Sequence, residues 1–218
     1  MSPMPTGRAL QPERAWTSEM AGSDASELEF SLPWFITYKF LNSLFLGVSI
    51  GSVFTLYAPL SPATFSAGGV GLAVATMLIA TQYQRIFNRF WFLRISVLTE
   101  LIIFVGVLAV LSLKSGHLLA LIIYLGYQLA FTFGSYLVRY ETLLISTETD
   151  LKSLDIAKQS AYLVGMGLAW VFYQLIEHFG EIMDADQQVY LIYYPLLLIE
   201  LTVLGALLKS FPKSDKSC

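Results

Sequence analysis

Apolar positions in this chain gather into six long runs, at residues 33–58, 66–83, 93–113, 118–138, 161–176 and 189–208, separated by short polar segments. At a helical rise of about 1.5 Å per residue, most of these runs cross the roughly 30 Å of hydrocarbon in a bilayer. Barrel strands would be about half as long and would alternate strictly, which these runs do not. The pattern predicts an all-α polytopic membrane protein: six transmembrane helices over 33–210, a polar acidic tail over 1–32 and a short tail over 211–218. The second and fifth runs are the shortest and are rich in small residues, as in Ser66-Ala67-Gly68-Gly69-Val70-Gly71 and Gly165-Met166-Gly167. Such helices suit close approach to neighbours. Gly47 and Gly51 in the first run make a small-xxx-small pair, read as internal packing rather than a dimer seam.

Composition agrees with a lipid solvent. Of 218 residues, 56% are hydrophobic and 13% charged, and the mean hydropathy is +0.62. A soluble domain of this size would need more charge to cover its surface.

The positions of the charges predict orientation. Arg8 and Arg14 precede the first run, Arg85, Arg89 and Arg94 lie between the second and third, Lys152 and Lys158 between the fourth and fifth, and Lys209, Lys213 and Lys216 after the sixth. The other side holds Lys114, with Glu177, Glu181, Asp184 and Asp186 in its last loop. Because Lys and Arg are retained on the cytoplasmic side, both termini are expected there, in a bacterial cytoplasmic (inner) membrane. No signal peptide fits the acidic start, which reads as a flexible tail. The mixed-charge segment 147–158 reads either as a polar loop or as a short amphipathic helix at the interface, with Leu151, Leu154 and Ile156 towards lipid.

Ionisable groups inside apolar runs are the candidates for function, since each costs at least about 2.5 kcal/mol at mid-membrane unless paired or hydrated. Lys39, Glu100, Arg139 (with Glu141 just beyond) and Glu200 are those groups. Lys39 with Glu100, and Arg139 with Glu200, could form interhelical ion pairs; alternatively a carboxylate carries a proton or cation during transport. Lys39 and Arg139 could also snorkel to the interface. Polar stripes add a second signal. Tyr124, Gln128, Thr132, Ser135 and Arg139 share an arc of about 80° on the fourth helix at about 100° per residue. Tyr38, Asn42 and Ser49 share one on the first, and Trp170, Tyr173, Gln174 and Glu177 one on the fifth. Such faces line a solute-accessible cavity or a polar helix interface; Tyr38, Asn42, Tyr124, Gln128 and Ser135 are the cavity-lining candidates.

Several classes are disfavoured. Basic residues do not cluster with aromatics as a nucleic-acid surface would. The one cysteine, Cys218, is terminal, and no metal or haem spacing occurs. No phosphate-binding loop, nucleophile elbow or zinc-protease helix is present, so neither enzymatic activity nor a cofactor is expected.

The segments Leu41-Asn42-Ser43-Leu44-Phe45-Leu46-Gly47, Tyr57-Ala58-Pro59-Leu60 and Phe65-Ser66-Ala67-Gly68-Gly69 are followed by the basic connection Gln84-Arg85-Ile86-Phe87-Asn88-Arg89. Together they resemble the amino-terminal six-helix half of a major facilitator superfamily transporter. The Gly and Asp of that family's loop signature are missing here. Asp150 and Lys158 resemble the acidic and basic pair flanking its fourth-to-fifth loop. The resemblance implies a half-transporter-like bundle that builds a small-solute path with a second copy or a second six-helix membrane protein. The expected function is therefore a small secondary transporter or permease acting as a dimer, coupled to a proton or cation through intramembrane carboxylates. A non-transporting membrane scaffold or assembly factor is the competing reading, and a channel the remaining one.

Overall fold

A computed structural model describes residues 29–113, 116–145, 147–180 and 182–212. These residues form α1 (Leu32–Tyr57), α2 (Pro62–Thr81), the one-turn α3 (Tyr83–Ile86), α4 (Arg89–Ser112), α5 (His117–Leu144), α6 (Glu148–Gly180) and α7 (Ala185–Ser210). No strand occurs among the described residues. The tail over 1–28 and Lys114, Glu181, Lys213, Lys216 and Cys218 lie outside them.

Each boundary has a local cause. Pro33 and Pro62 occupy first-turn positions of α1 and α2, where a missing N–H costs nothing. Side chains of Ser61, Asn88 and Asp184 cap α2, α4 and α7 by accepting the backbone N–H three residues on. Five helices, α1, α2, α4, α5 and α7, are long and apolar enough to cross a membrane. The sixth long helix, α6, falls short of that test because its apolar half is interrupted by Tyr162, Trp170, Tyr173 and Gln174. It has 33 residues, about 50 Å at about 1.5 Å per residue. Segment 147–158 is neither a loop nor a separate interfacial helix: it is continuous with the apolar half of α6. Leu154 is fully buried and Leu151 half-buried in the core, so these leucines face protein, and only Ile156 is exposed.

Contacts between helix ends alternate in direction. The start of α1 meets the ends of α5 and α7 and the start of α4, as in Ser31 N–H donating to Ser210 O at 3.0 Å and the Phe35–Phe92 ring pair. The end of α1 meets the starts of α2, α5 and α7. Helix α1 is central, packing mainly on α6 and α7; α4 packs on α5 and α7, and α2 on α5. Exchanging α1 with α5, α2 with α6 and α4 with α7 maps each of these pairings onto another. The thin α6–α7 and α2–α3 contacts fall outside this exchange, and the bundle reads as two three-helix units in inverted relation.

The α1–α6 crossing rests on glycine. A Cβ on Gly165 would sit 2.5 Å from the Leu44 carbonyl oxygen, and one on Gly47 would run into the Tyr162 carbonyl. At α2 the relation is looser: none of its residues is buried, and it is held to α5 by Tyr124, which donates to Phe65 O at 3.2 Å.

Apolar burial splits into two main clusters. One, at the Leu32 end, includes Phe35, Phe92, Tyr136, Leu154 and Leu207. The other, at the Tyr57 end, includes Phe45, Val107, Ile123, Ile192 and Leu196. Asn42, Glu100, Gln128, Thr132 and Glu200 fall between the two in register, near the middle of α1, α4, α5 and α7.

Candidate functional site

The layer between the clusters holds two buried carboxylates in opposite circumstances. Glu100 on α4 is 2% exposed. Its Oε1 accepts from the Tyr38 hydroxyl at 2.6 Å and from Asn42 Nδ2 at 3.0 Å, and Asn42 also lies 3.2 Å from Oε2. Tyr38 and Asn42 are four apart, so one face of α1 presents both donors to a single carboxylate. Charge-assisted bonds of this kind are about twice as strong as neutral ones.

Glu200 on α7 is 0% exposed, and neither of its carboxylate oxygens has a hydrogen-bond partner among the described residues. It lies within electrostatic reach of Glu100. Three further buried atoms, Ser96 Oγ, Gln128 Oε1 and the Tyr173 hydroxyl, also lack a hydrogen-bond partner among the described residues. Ser96 stands one turn before Glu100 on α4.

Towards the Leu32 end the charges are paired, though not as the sequence pattern pairs them. Lys39 Nζ lies 2.6 Å from Glu141 Oε2, so its ion-pair partner is Glu141 rather than Glu100. Lys158 donates to Glu141 Oε1 at 2.9 Å. One carboxylate thus binds two lysines and joins α1, α5 and α6. Lys158 also reaches Asp155, at 3.9 Å. Arg139 does not pair with Glu200; it is exposed, its guanidinium 5.9 Å from the Tyr83 ring centroid. The physical reason is depth. Arg139 sits near the end of α5, where its long side chain reaches the surface, whereas Glu200 sits near the middle of α7.

The α5 stripe does not act as one surface. Tyr124 packs against Tyr57 and Phe65 and bonds to the α2 backbone. Gln128 is half-buried, Thr132 bonds back to the Gln128 carbonyl, and Ser135 is exposed. On α6, Trp170 and Gln174 are exposed, while Glu177 accepts from Gln188 at 3.3 Å. On α1 the stripe is coherent, with Tyr38 and Asn42 at Glu100 and Ser49 fully buried.

Two clefts open at the Tyr57 end. One, of about 660 Å³, is walled by Leu56, Val110, Leu119 and Val189 and rimmed by Asp184 and Asp186; the other, of about 250 Å³, shares Leu56, Leu119 and Asp186 with it. Neither is lined by Glu100 or Glu200. No group of three or more His, Cys, Asp or Glu residues that could hold a metal occurs among the described residues.

Sequence reading passed over Glu141 and Lys158 as a functional pair. The only signal was that Glu141 follows an apolar run directly, a costly place for an unpaired carboxylate. Comparison with protein-family models, with curated proteins and with solved structures finds no match to this chain.

Proposed function

We propose that this chain is one half of a secondary transporter: a six-span unit with both termini cytoplasmic in a bacterial inner membrane, joined to a second copy or to another six-helix protein. It moves a small solute, with a proton or cation coupled through Glu200 and Glu100. The observation that carries this reading is Glu200, wholly buried at mid-bundle with no hydrogen-bond partner for either oxygen among the described residues. A carboxylate kept only for packing would be matched by a donor, as Glu100 is; leaving such a group unmatched costs stability with no structural return.

Two features support the rest. Arg85, Arg89, Lys152, Lys158 and Lys209 all lie at the Leu32 end of the bundle, while Glu177, Asp184 and Asp186 lie at the Tyr57 end, as expected of a span set inserted with the Leu32 end inside. The inverted pairing of two three-helix units matches the architecture described for half of a major facilitator transporter. Counting α6 as a span makes six.

The test is solute-dependent proton movement. Full-length protein is reconstituted into liposomes with an entrapped pH dye and challenged with amino acids, sugars, organic acids and organic amines. At least one class should drive a pH change that Glu200→Gln abolishes. No response to any class, with Glu200→Gln folding as the wild type, would favour the scaffold reading. Glu100's full set of hydrogen bonds and the Glu141 staple favour that second reading, because both act as structural glue.

A further inference from the structure

The described cations divide by residue type. All four arginines, Arg85, Arg89, Arg94 and Arg139, stand on α3, the start of α4 and the last third of α5, whereas all four lysines, Lys39, Lys152, Lys158 and Lys209, stand on α1, α6 and α7. Retention of cations on one side of a membrane needs charge alone, which lysine supplies as well as arginine. What arginine adds is a planar fork of donors that fits the paired oxygens of a phosphate.

The fold draws two of these arginines to one corner. The Tyr136 hydroxyl of α5 donates to the Ile86 carbonyl at 2.8 Å. Tyr83 stacks on Phe87 at 4.6 Å, and the Phe87 ring lies 5.6 Å from that of Tyr136 and 6.0 Å from that of Tyr140. These contacts pin the short α3 against the end of α5. Arg139, about one turn beyond Tyr136, lies with its guanidinium 5.9 Å from the Tyr83 centroid, and Arg85 follows Tyr83 by two residues. Both arginines are exposed, and neither forms an ion pair among the described residues. No Asp or Glu occurs over residues 30–99 or between His117 and Glu141. Glu141 points about 160° around α5 from Arg139 and is held by Lys39 and Lys158. Tyr83, Tyr140 and the exposed Trp91 gather at this same end, as aromatic side chains do at headgroup depth.

We propose that Arg85 and Arg139 form a binding site for the phosphate of an anionic phospholipid, whose headgroup sits over the Tyr83 ring at the membrane interface. Basic corners between spanning helices take lipid headgroups in this way. A zwitterionic headgroup fits less well, because its ammonium would meet two guanidiniums with no free carboxylate to receive it. Since α3 continues from α2, none of whose residues is buried, a headgroup held here also fixes the inner end of that loosely seated helix. The site requires that the bundle spans a bilayer and is independent of Glu200 and of transport.

The test is native mass spectrometry of the full-length protein in detergent, titrated with phosphatidylglycerol or phosphatidylethanolamine. The wild type should bind its first phosphatidylglycerol about tenfold more tightly than phosphatidylethanolamine, and the double variant Arg85→Gln/Arg139→Gln should lose about thirtyfold of that affinity. Lys152→Gln/Lys209→Gln removes the same charge from the same end and should stay within about threefold of the wild type. Arg85→Lys/Arg139→Lys keeps the charge without the fork and should fall between the two. Thermal unfolding by tryptophan fluorescence should be the same for all three variants, whose altered side chains are exposed and accept or donate no hydrogen bond that holds the bundle. Equal losses in the two glutamine variants would reduce the effect to general attraction and overturn the site. Equal affinity for the two lipids would do the same, as would displacement of phosphatidylglycerol by millimolar inorganic phosphate, which would assign the corner to a free anion.

Discussion

Lys39 and Glu141 meet at 2.6 Å between α1 and α5, and Lys158 of α6 shares the same carboxylate at 2.9 Å. Three helices therefore depend on one acidic side chain that is 3% exposed. Removing it strands the Lys39 ammonium and leaves Lys158 only the longer contact to Asp155, whereas removing Lys39 leaves Glu141 with Lys158. Glu141→Gln should cost about 3 kcal/mol or more, in the range for breaking a buried pair, and Lys39→Met clearly less. Thermal unfolding in detergent, followed by fluorescence of the four tryptophans, gives the order. Exchanging Lys39 with Glu100 should not restore stability, because it sets two carboxylates against each other at Glu141.

Glu100 and Glu200 should respond oppositely to neutralisation. Tyr38→Phe removes a hydroxyl that donates to a buried carboxylate and should cost about 1 to 3 kcal/mol. Glu200→Gln removes a carboxylate with no hydrogen-bond partner among the described residues and should leave the unfolding temperature equal or higher while abolishing coupled flux. Stability gained where function is lost is the signature of a site strained for use. A Glu200→Gln protein that melts well below the wild type would mean that Glu200 has a structural partner.

The glycines separate into tight and open sites. Gly47→Ala or Gly165→Ala places a methyl group against backbone of the crossing helix, which cannot rotate away, so each should lose about 1 to 3 kcal/mol. Gly69→Ala and Gly71→Ala meet nothing within 4 Å and should be neutral or slightly stabilising, through the better helix propensity of alanine. The two pairs are compared by melting temperature in one detergent.

Pairing of units is read by native mass spectrometry from lipid nanodiscs. A dimer of the full chain is expected, and Gly47→Ala should not change it, because Gly47 is spent inside the chain against Tyr162 and Gly165. A strict monomer would remove the two-unit solute path and move the scaffold reading first.

The helical content and the five apolar spans were legible from run length alone, because apolar pattern and helix length are local properties. The extent of α6 was not: charge at Asp150, Lys152, Asp155 and Lys158 suggested a surface segment, yet Leu151 and Leu154 turn inward on the same helix. Tyr38 and Asn42 were legible as a polar face, but not as donors to Glu100, which lies 58 residues from Asn42. Pairing was misread at Lys39 and Arg139 for one reason. The sequence places a charge along its own helix, but which neighbouring helix it meets, and at what depth, is decided by packing. The isolation of Glu200 is a property of its surroundings and could not be seen from residue type.

The central position of α1 constrains the order in which the chain can be assembled. Its main neighbours, α6 and α7, follow it in the chain only after α2 to α5, so α1 enters the bilayer long before they exist. Until Glu141, about 100 residues further on, is made, the Lys39 ammonium has no ion-pair partner, and Gly47 has no backbone to lie against until Tyr162 and Gly165 follow. α1 must wait at the insertion machinery or the bilayer edge, and the bundle closes only when α6 and α7 arrive. Any truncation before α6 would leave the first helix unhoused, a target for membrane quality control rather than a smaller working protein.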